Sequence, residues 1–434
     1  MKKILPVLQI FALLVVAVAA VHFLEGKKFQ SVRPGEESIP RARLDIEKLR
    51  TVDSYRAEIE ARSKKRELRP YHTLRVFDSE KSFPGYTLFG VNENEEVLLL
   101  DHKGTLINSW PIDSDRSILM PETCSLVATH GTVAGAKISP WKELRFSLRE
   151  YSYNGELLWE YTGPDILHHD VRYRSDRNTF LTLRRRNTAY AGERKFKENF
   201  LMKADGILEI DRNGAEVFSW NSEDHISHDF CGMRGCPTVE EAEVSRAEFK
   251  RQKDWTHMNT VSSLPENIWF EKGDQRFRPG NYLVHIRNFW MSYIIDSETK
   301  KVVWRFPERN EFDADSDIQI RGGHESHMIP PGNPGAGNIL IFDNGNTEVR
   351  PYTRILEINP VTRKLVWSYQ EPGRFFSRTA GATQRLPNGN TLISEDLKGR
   401  IFEVTKEGEI VWEVETPYRT ARSRRYPLDW CSLS

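Results

Sequence analysis

Ile207-Leu-Glu-Ile-Asp211-Arg-Asn-Gly214-Ala-Glu-Val-Phe218-Ser-Trp220 is the stretch whose reading decides the fold. Alternating residues flank a tight Asp-Arg-Asn-Gly turn, which spells strand, turn, strand. The same small pattern returns six times: a polar residue, a turn residue three places on, and a Trp seven to nine places after the first. The copies are Asp101/Gly104/Trp110, Ser152/Gly155/Trp159, Asp211/Gly214/Trp220, Asp296/Thr299/Trp304, Asn359/Thr362/Trp367 and Thr405/Gly408/Trp412. In the copies with Gly the Trp lies four or six residues beyond it, so with side chains alternating at period two the indole takes the same face each time. Upstream of most copies another strand opens with Asn, as in Asn178-Thr-Phe-Leu181, Asn281-Tyr-Leu-Val284, Asn338-Ile-Leu-Ile341 and Asn390-Thr-Leu-Ile393. Three or four short strands per unit, repeated around a Trp-bearing hairpin, predict an all-β, six-bladed β-propeller. Trp-to-Trp intervals of 49, 61, 84, 63 and 45 residues assign the excess over the shortest to rim insertions. The longest contains Thr238-Val-Glu-Glu241, a capping-box pattern leading into a short charged helix. A two-sheet sandwich built from the same hairpins is the competing architecture.

The propeller is assigned to residues 85–417, with 418–434 as a C-terminal tail. Residues 26–84 are charged, and Leu49, Val52, Tyr55 and Ile59 recur at helical spacing, which reads as a short helical stalk or linker. Before it, residues 1–25 hold an apolar run from Ile4 to Leu24 after Lys2 and Lys3. That run is long enough to cross a bilayer as a signal anchor, and Ala17, Ala19 and Ala20 keep a cleaved signal peptide in play. A transmembrane or signal helix of this kind puts the rest of the chain outside the cytoplasm, in the periplasm or at the cell surface. With 62 basic and 62 acidic residues the formal charge is zero, which gives no reason to expect nucleic acid as a partner. Of the four cysteines, Cys231 and Cys236 are spaced for a local disulfide, or for a zinc site completed by His225 and His228.

The histidines gather at one register. His168-His169-Asp170, His257 in Trp255-Thr-His257-Met-Asn259, and His324-Glu-Ser-His327 each fall where the innermost strand of a blade borders the central channel. Arg287, downstream of His257, adds a permanent charge. The basic run Arg184-Arg-Arg186 with Lys195 and Lys197 reads as a solvated insertion, with attraction of anions as the alternative.

The chain resembles the bacterial arylsulfotransferases, the aryl-sulfate sulfotransferases that work without phosphoadenosine phosphosulfate. The resemblance rests on His168-His169-Asp170, Asp254-Trp-Thr-His257-Met-Asn259, His324 through His327-Met-Ile-Pro330, Pro334-Gly-Ala-Gly-Asn338 with Phe342-Asp-Asn-Gly345, and Arg425-Tyr-Pro-Leu-Asp-Trp430. It implies a histidine nucleophile, His324, that carries the sulfuryl group between an aryl sulfate and a phenol. His324 is preferred to His327 because its distance to Pro330 matches the inner-strand register. His169, His257 and Arg287 are implied to hold the sulfate oxygens or protonate the leaving phenol, with His168, Asn259 and His327 as substrate-binding neighbours. No cofactor and no metal are expected, and assembly into a homo-oligomer is left open.

Sulfuryl transfer spreads negative charge over the oxygens, which cations and fixed donors stabilise, and neutral imidazole is a competent nucleophile near pH 7. Other functions compete. Gly131 to Ser139 lacks the spacing of a phosphate-cradling loop, which argues against a nucleotide-sulfonate donor. A metal-dependent hydrolase would draw on His168, His169, Asp170, His324 and His327, and a quinone-dependent dehydrogenase shares the Trp-bearing blades. The alternative from another class is a noncatalytic extracytoplasmic propeller that binds a protein or glycan.

Overall fold

The structure, a computed structural model, describes residues 72–431 except 93, 195, 197–199, 241–244 and 309–317. The apolar run Ile4–Leu24 and the helical spacing from Leu49 to Ile59 lie outside the described residues. Among the described residues no helix is long and apolar enough to cross a membrane.

Six antiparallel sheets follow one another as the blades of a β-propeller. From the inside outward, blade 2 runs Arg116–Leu119, Leu126–Thr129, Ser147–Tyr151 and Leu157–Thr162. Blade 3 runs Ile166–Arg174, Thr179–Ala189, Leu201–Asp211 and Glu216–Asn221. Blade 4 is Met258–Ser263, Tyr282–Ile286, Met291–Ile295 and Val302–Phe306, and blade 5 is His324–Met328, Ile339–Asp343, Arg354–Ile358 and Leu365–Gln370.

Blades 1 and 6 close the ring. Blade 1 takes its innermost strand, Thr420–Tyr426, from the end of the chain and sets it against Tyr86–Val91, Glu96–Leu100 and Leu106–Trp110. Blade 6 (Ala382–Arg385, Thr391–Glu395, Arg400–Val404, Ile410–Glu415) gains a fifth, outermost strand, Thr73–Phe77. Two boundaries are thereby corrected: the propeller begins at Thr73, inside the presumed stalk, and the presumed tail 418–434 contains the inner strand of blade 1. An open sheet edge is completed by whichever strand reaches it, and both partners lie more than 300 residues away in sequence. Cys124 and Cys431, bonded with Cα atoms 5.4 Å apart, fasten this closure by tying blade 2 to the chain beyond blade 1.

The six tryptophans do what their spacing foretold. Each indole N–H donates to a turn carbonyl of the next blade: Trp110 to Ser152 (3.0 Å), Trp159 to Arg212 (2.8 Å), Trp220 to Lys300 (3.0 Å), Trp304 to Pro360 (2.9 Å), Trp367 to Lys406 (2.7 Å) and Trp412 to His102 (2.9 Å). Six apolar clusters, one between each pair of neighbouring blades, each contain one of these rings. An indole removes 150–250 Å² from water, worth at most about 4–6 kcal/mol at 25 cal/mol per Å². In copies four and five the left-handed turn residue is Lys300 (φ +59°) and Arg363 (φ +60°), not Thr299 or Thr362. Their N–H groups reach back to Asp296 (2.9 Å) and Asn359 (2.8 Å), one residue farther than in the Gly copies. Counted from the left-handed residue, the Trp is always four or six away, so the facing argument holds in all six copies.

In the rim insertion after blade 3 helical residues Val239 and Glu240 follow Thr238 directly, and a second, charged helix, Arg246–Lys253, is capped by Ser245. Cys231 and Cys236 are bonded to each other in the same insertion, so neither thiolate is left for a zinc site with His225 and His228.

Candidate active site

Four of the innermost strands are bulged near the same level. The pairing slips between Thr182 and Leu183 opposite His169-Asp170, between Met258 and Thr260, between His324 and Ser326, and between Leu88 and Gly90 opposite Arg422-Ser423. His169 (φ +62°), His257 (φ +49°), Glu325 (φ +33°) and Arg422 (φ +35°) take left-handed conformations there. A bulge redirects side chains out of the pleat, and here it turns them toward shared partners at the centre.

The centre is floored by a buried charge network. Arg172 reaches Glu325 (2.5 Å) and Asp170 (3.3 Å), Arg116 reaches Asp170 (3.3 Å) and Glu325 (3.9 Å), and Arg422 reaches Glu325 (3.6 Å). Burial alone would raise the Glu325 carboxyl, but Arg172, His327 and Arg116 hold it well below the usual carboxylate range. Three arginines thus face two carboxylates, so the network favours an anion above it. It draws on blades 1, 2, 3 and 5.

His169 and His257 meet edge to face, ring centroids 5.1 Å apart. His257 Nδ1 lies 2.5 Å from Asp254 Oδ2; a carboxylate only accepts, so Nδ1 carries a proton and Nε2 is the exchangeable position. Asp254 is held at about 2: burial would raise it, but His257 and Arg185 outweigh that. His168 Nε2 lies 3.1 Å from Asp205 Oδ1, which places its proton on Nε2 and lets Nδ1 accept from His169 Nδ1 at 2.8 Å. Burial, then the charges of His168, His257 and Arg185, keep His169 well below the usual imidazole range. Arg185 joins the two systems, 2.7 Å from Asp205 and 3.5 Å from Asp254. Arg184 to Arg186 are therefore not a solvated insertion, since Arg184 is buried against Glu216 and Asn221 and Arg186 pairs with Asp165, while Lys195 and Lys197 lie outside the described residues.

His324 is buried and its tautomer is fixed. Nδ1 lies 2.6 Å from Asn344 Oδ1, and the Asn344 amide nitrogen donates to the carbonyls of Ser377 (2.6 Å) and Ala380 (2.8 Å). With its nitrogen spent, Asn344 turns its oxygen to the ring, so His324 is protonated on Nδ1 and carries its lone pair on Nε2. One backbone N–H, that of Ala380, donates to Nε2 at 3.2 Å. Burial first, then Arg287 and Arg422, hold His324 well below the ordinary imidazole value. Arg287 sits in the one-turn helix Arg287–Phe289 just after a blade 4 strand, and among the described residues its guanidinium bonds only the Asn288 side chain, at 3.2 Å. Among the described residues no carboxylate lies within ion-pair distance of it, and burial lowers its affinity for its own proton.

The remaining expected residues are placed differently. Asn259 spends its amide on the Gly323 carbonyl (3.0 Å), which makes it a brace between blades 4 and 5. His327 turns toward Glu325, Nδ1 to Oε1 3.5 Å, beside the arginine network. The sequence reading passed over Arg422, Arg116, Arg172 and Glu325, because nothing local separates an axial arginine from a surface one. It also assigned no part to Asp254 and Asn344, although both stand inside quoted motifs.

Residues 147–417 match the family model described as arylsulfotransferase (ASST). The chain belongs to the arylsulfotransferase family. That match covers His169, His257, Arg287 and His324, whereas Arg116 and Arg422 of the floor lie outside it. Among curated proteins nothing matches the chain. Solved structures similar to it include a protein of unknown function from Bacteroides caccae (12% identity, TM-score 0.48, covering 79% of this chain and 98% of that one). Virginiamycin B lyase from Staphylococcus aureus (8%, TM-score 0.39, 82% and 88%) and a europium-containing methanol dehydrogenase (11%, TM-score 0.39, 81% and 69%) are similar as well. Likeness at this level carries no argument about activity.

Proposed function

We propose that this arylsulfotransferase moves a sulfuryl group from an aryl sulfate to a phenol through a sulfohistidine on His324, with no need of phosphoadenosine phosphosulfate. The observation that carries the reading is the fixed tautomer of His324, which puts the lone pair on Nε2, where it accepts from the Ala380 N–H at 3.2 Å until substrate displaces that contact, in a buried site under the positive field of Arg287 and Arg422. In the first half-reaction Nε2 bonds the sulfur while the sulfur–oxygen bond to the aryl group breaks. The leaving phenolate takes the proton of His257 Nε2. In the second, the acceptor phenol returns a proton to His257 as its oxygen bonds sulfur and the nitrogen–sulfur bond breaks. Arg287 and His169 face the developing oxygen charge, and Arg422 and Arg116 add a fixed positive background. His168 orients His169, Asn259 braces the strand leading to His324, and His327 tunes the floor.

The reading also has the propeller outside the cytoplasm, held to the membrane by Ile4–Leu24. Its support is that all four cysteines are bonded in pairs, as an oxidising compartment allows.

The test is incubation with 4-nitrophenyl sulfate without acceptor, followed by peptide mass analysis. A sulfuryl adduct on His324, lost in His324→Ala and kept in His327→Ala, is expected. Nitrophenol release with an adduct on another residue overturns the assignment, and neither release nor adduct favours a binding protein.

A further inference from the structure

The one-turn helix that carries Arg287 ends on a residue that does not suit its backbone. Trp290 closes the turn at φ +58°, with its N–H 3.2 Å from the Arg287 carbonyl. Blade 6 makes the same turn at the same place, Asp396–Lys398 closed by Gly399 at φ +65°, again with a 3.2 Å bond to the first carbonyl. Glycine is at ease there, whereas an L side chain is strained in the left-handed region. A Trp that the backbone does not favour points to a use for its ring.

That ring serves no blade contact of the kind made by the six repeat tryptophans. Among the described residues its indole N–H finds no protein acceptor, and the ring is only partly buried. The indole nitrogen lies 3.9 Å from where a Cβ of Gly322 would stand, two residues before His324. The guanidinium carbons of Arg321 and Arg234 lie 5.5 and 5.7 Å from the ring centroid. Neither arginine has a carboxylate within ion-pair distance among the described residues; Arg321 bonds the Gln319 side chain at 2.6 Å. Burial, then Arg251 and Arg287, lower Arg234 to about 10 against the opposing pull of Glu248 and Glu348.

Arg234 is held to this position. It lies in the loop closed by the Cys231–Cys236 bond, and Gly232 (φ +64°) packs so tightly that an added Cβ would fall 2.3 Å from the Phe289 carbonyl oxygen. The rim loop is thus docked on the turn that presents Trp290 and Arg287.

We propose that Trp290, Arg234 and Arg321 form the aryl subsite of this enzyme and select phenols and aryl sulfates that bear a second acidic group, a carboxylate or sulfonate on the ring. The substrate ring packs against the indole, its acidic substituent takes the two arginines, and its hydroxyl or sulfate is directed to Arg287 and His324. This rests on the sulfuryl-transfer reading, and the experiment separates the two. The acceptors are 4-hydroxybenzoate and its neutral methyl ester, with 4-nitrophenyl sulfate as donor, compared in wild type, Arg234→Gln/Arg321→Gln and Trp290→Gly. Wild type is expected to prefer the carboxylate in kcat/KM, and the double variant to lose about tenfold of that preference, the scale of two weakened charge-assisted contacts. Trp290→Gly is expected to raise KM for both acceptors. An unchanged preference in the double variant, or none in wild type, overturns the subsite. Should wild type transfer to neither acceptor, the transferase reading fails on its own. Calorimetry with 4-carboxyphenyl sulfate against phenyl sulfate then decides the subsite: tighter binding of the dianion in wild type alone upholds it, and equal binding of the two overturns it.

Discussion

Asp254→Asn isolates proton delivery from every other contribution of the site. The substitution keeps size and shape, but it removes the charge 2.5 Å from His257 Nδ1. Its magnitude is that of a hydrogen bond to a charged group, about 1.5–3 kcal/mol. In rate this corresponds to roughly 10- to 150-fold. The loss falls where a proton is needed most, on a basic leaving group. Phenyl sulfate as donor should therefore slow by about that factor, while 4-nitrophenyl sulfate, whose phenolate leaves without help, should slow by less than about fivefold. The assay is single-turnover phenol release at saturating enzyme, with the two donors side by side. Equal slowing of both would show that Asp254 only positions His257, and no slowing of either would remove the pair from the chemistry.

Acid should weaken the fold before the carboxylates titrate. Burial chiefly holds His130 and His285 at about 3 in the folded chain, against an unfolded value of about 6.5. The unfolded state then binds more protons, so stability is lost as pH drops below about 6.5, by about 2 kcal/mol for each of the two at pH 5. Asp113, raised by burial to about 6, opposes this by about 1 kcal/mol, and a urea midpoint unchanged between pH 7.5 and 5 would contradict the balance. Trp304→Phe leaves the Pro360 carbonyl without its 2.9 Å donor and should cost about 1–2 kcal/mol in urea unfolding, with the loss shared by no distant blade. Replacing Cys124 and Cys431 by Ser opens a bond spanning 307 residues and should cost about 2–5 kcal/mol, seen as a thermal midpoint below that of wild type without reductant.

The blades were legible because their information is local. A strand, a turn and a Trp four or six residues past the left-handed position fit within about a dozen residues, and the period of two fixes the face on which the indole emerges. The inner-strand histidines were legible for a related reason, since repetition at one register marks one place in a radial fold. His169, His257 and His324 could be singled out from the chain, although only the described geometry sets the proton of each.

What the tertiary structure alone decided involves partners far apart in sequence. Thr73–Phe77 and Thr420–Tyr426 close the ring by pairing across more than 300 residues, and an unpaired sheet edge does not name its partner in advance. Arg116, Asp170, Arg172, Glu325 and Arg422 come from four blades, and a lone arginine in a strand reads alike whether it points to solvent or to the axis. Bulges settle that difference: one inserted residue changes the direction of a side chain, yet it leaves no mark on the hydrophobic pattern. Local periodicity therefore determined the blades and the level of the site, and long-range pairing determined which charges meet there.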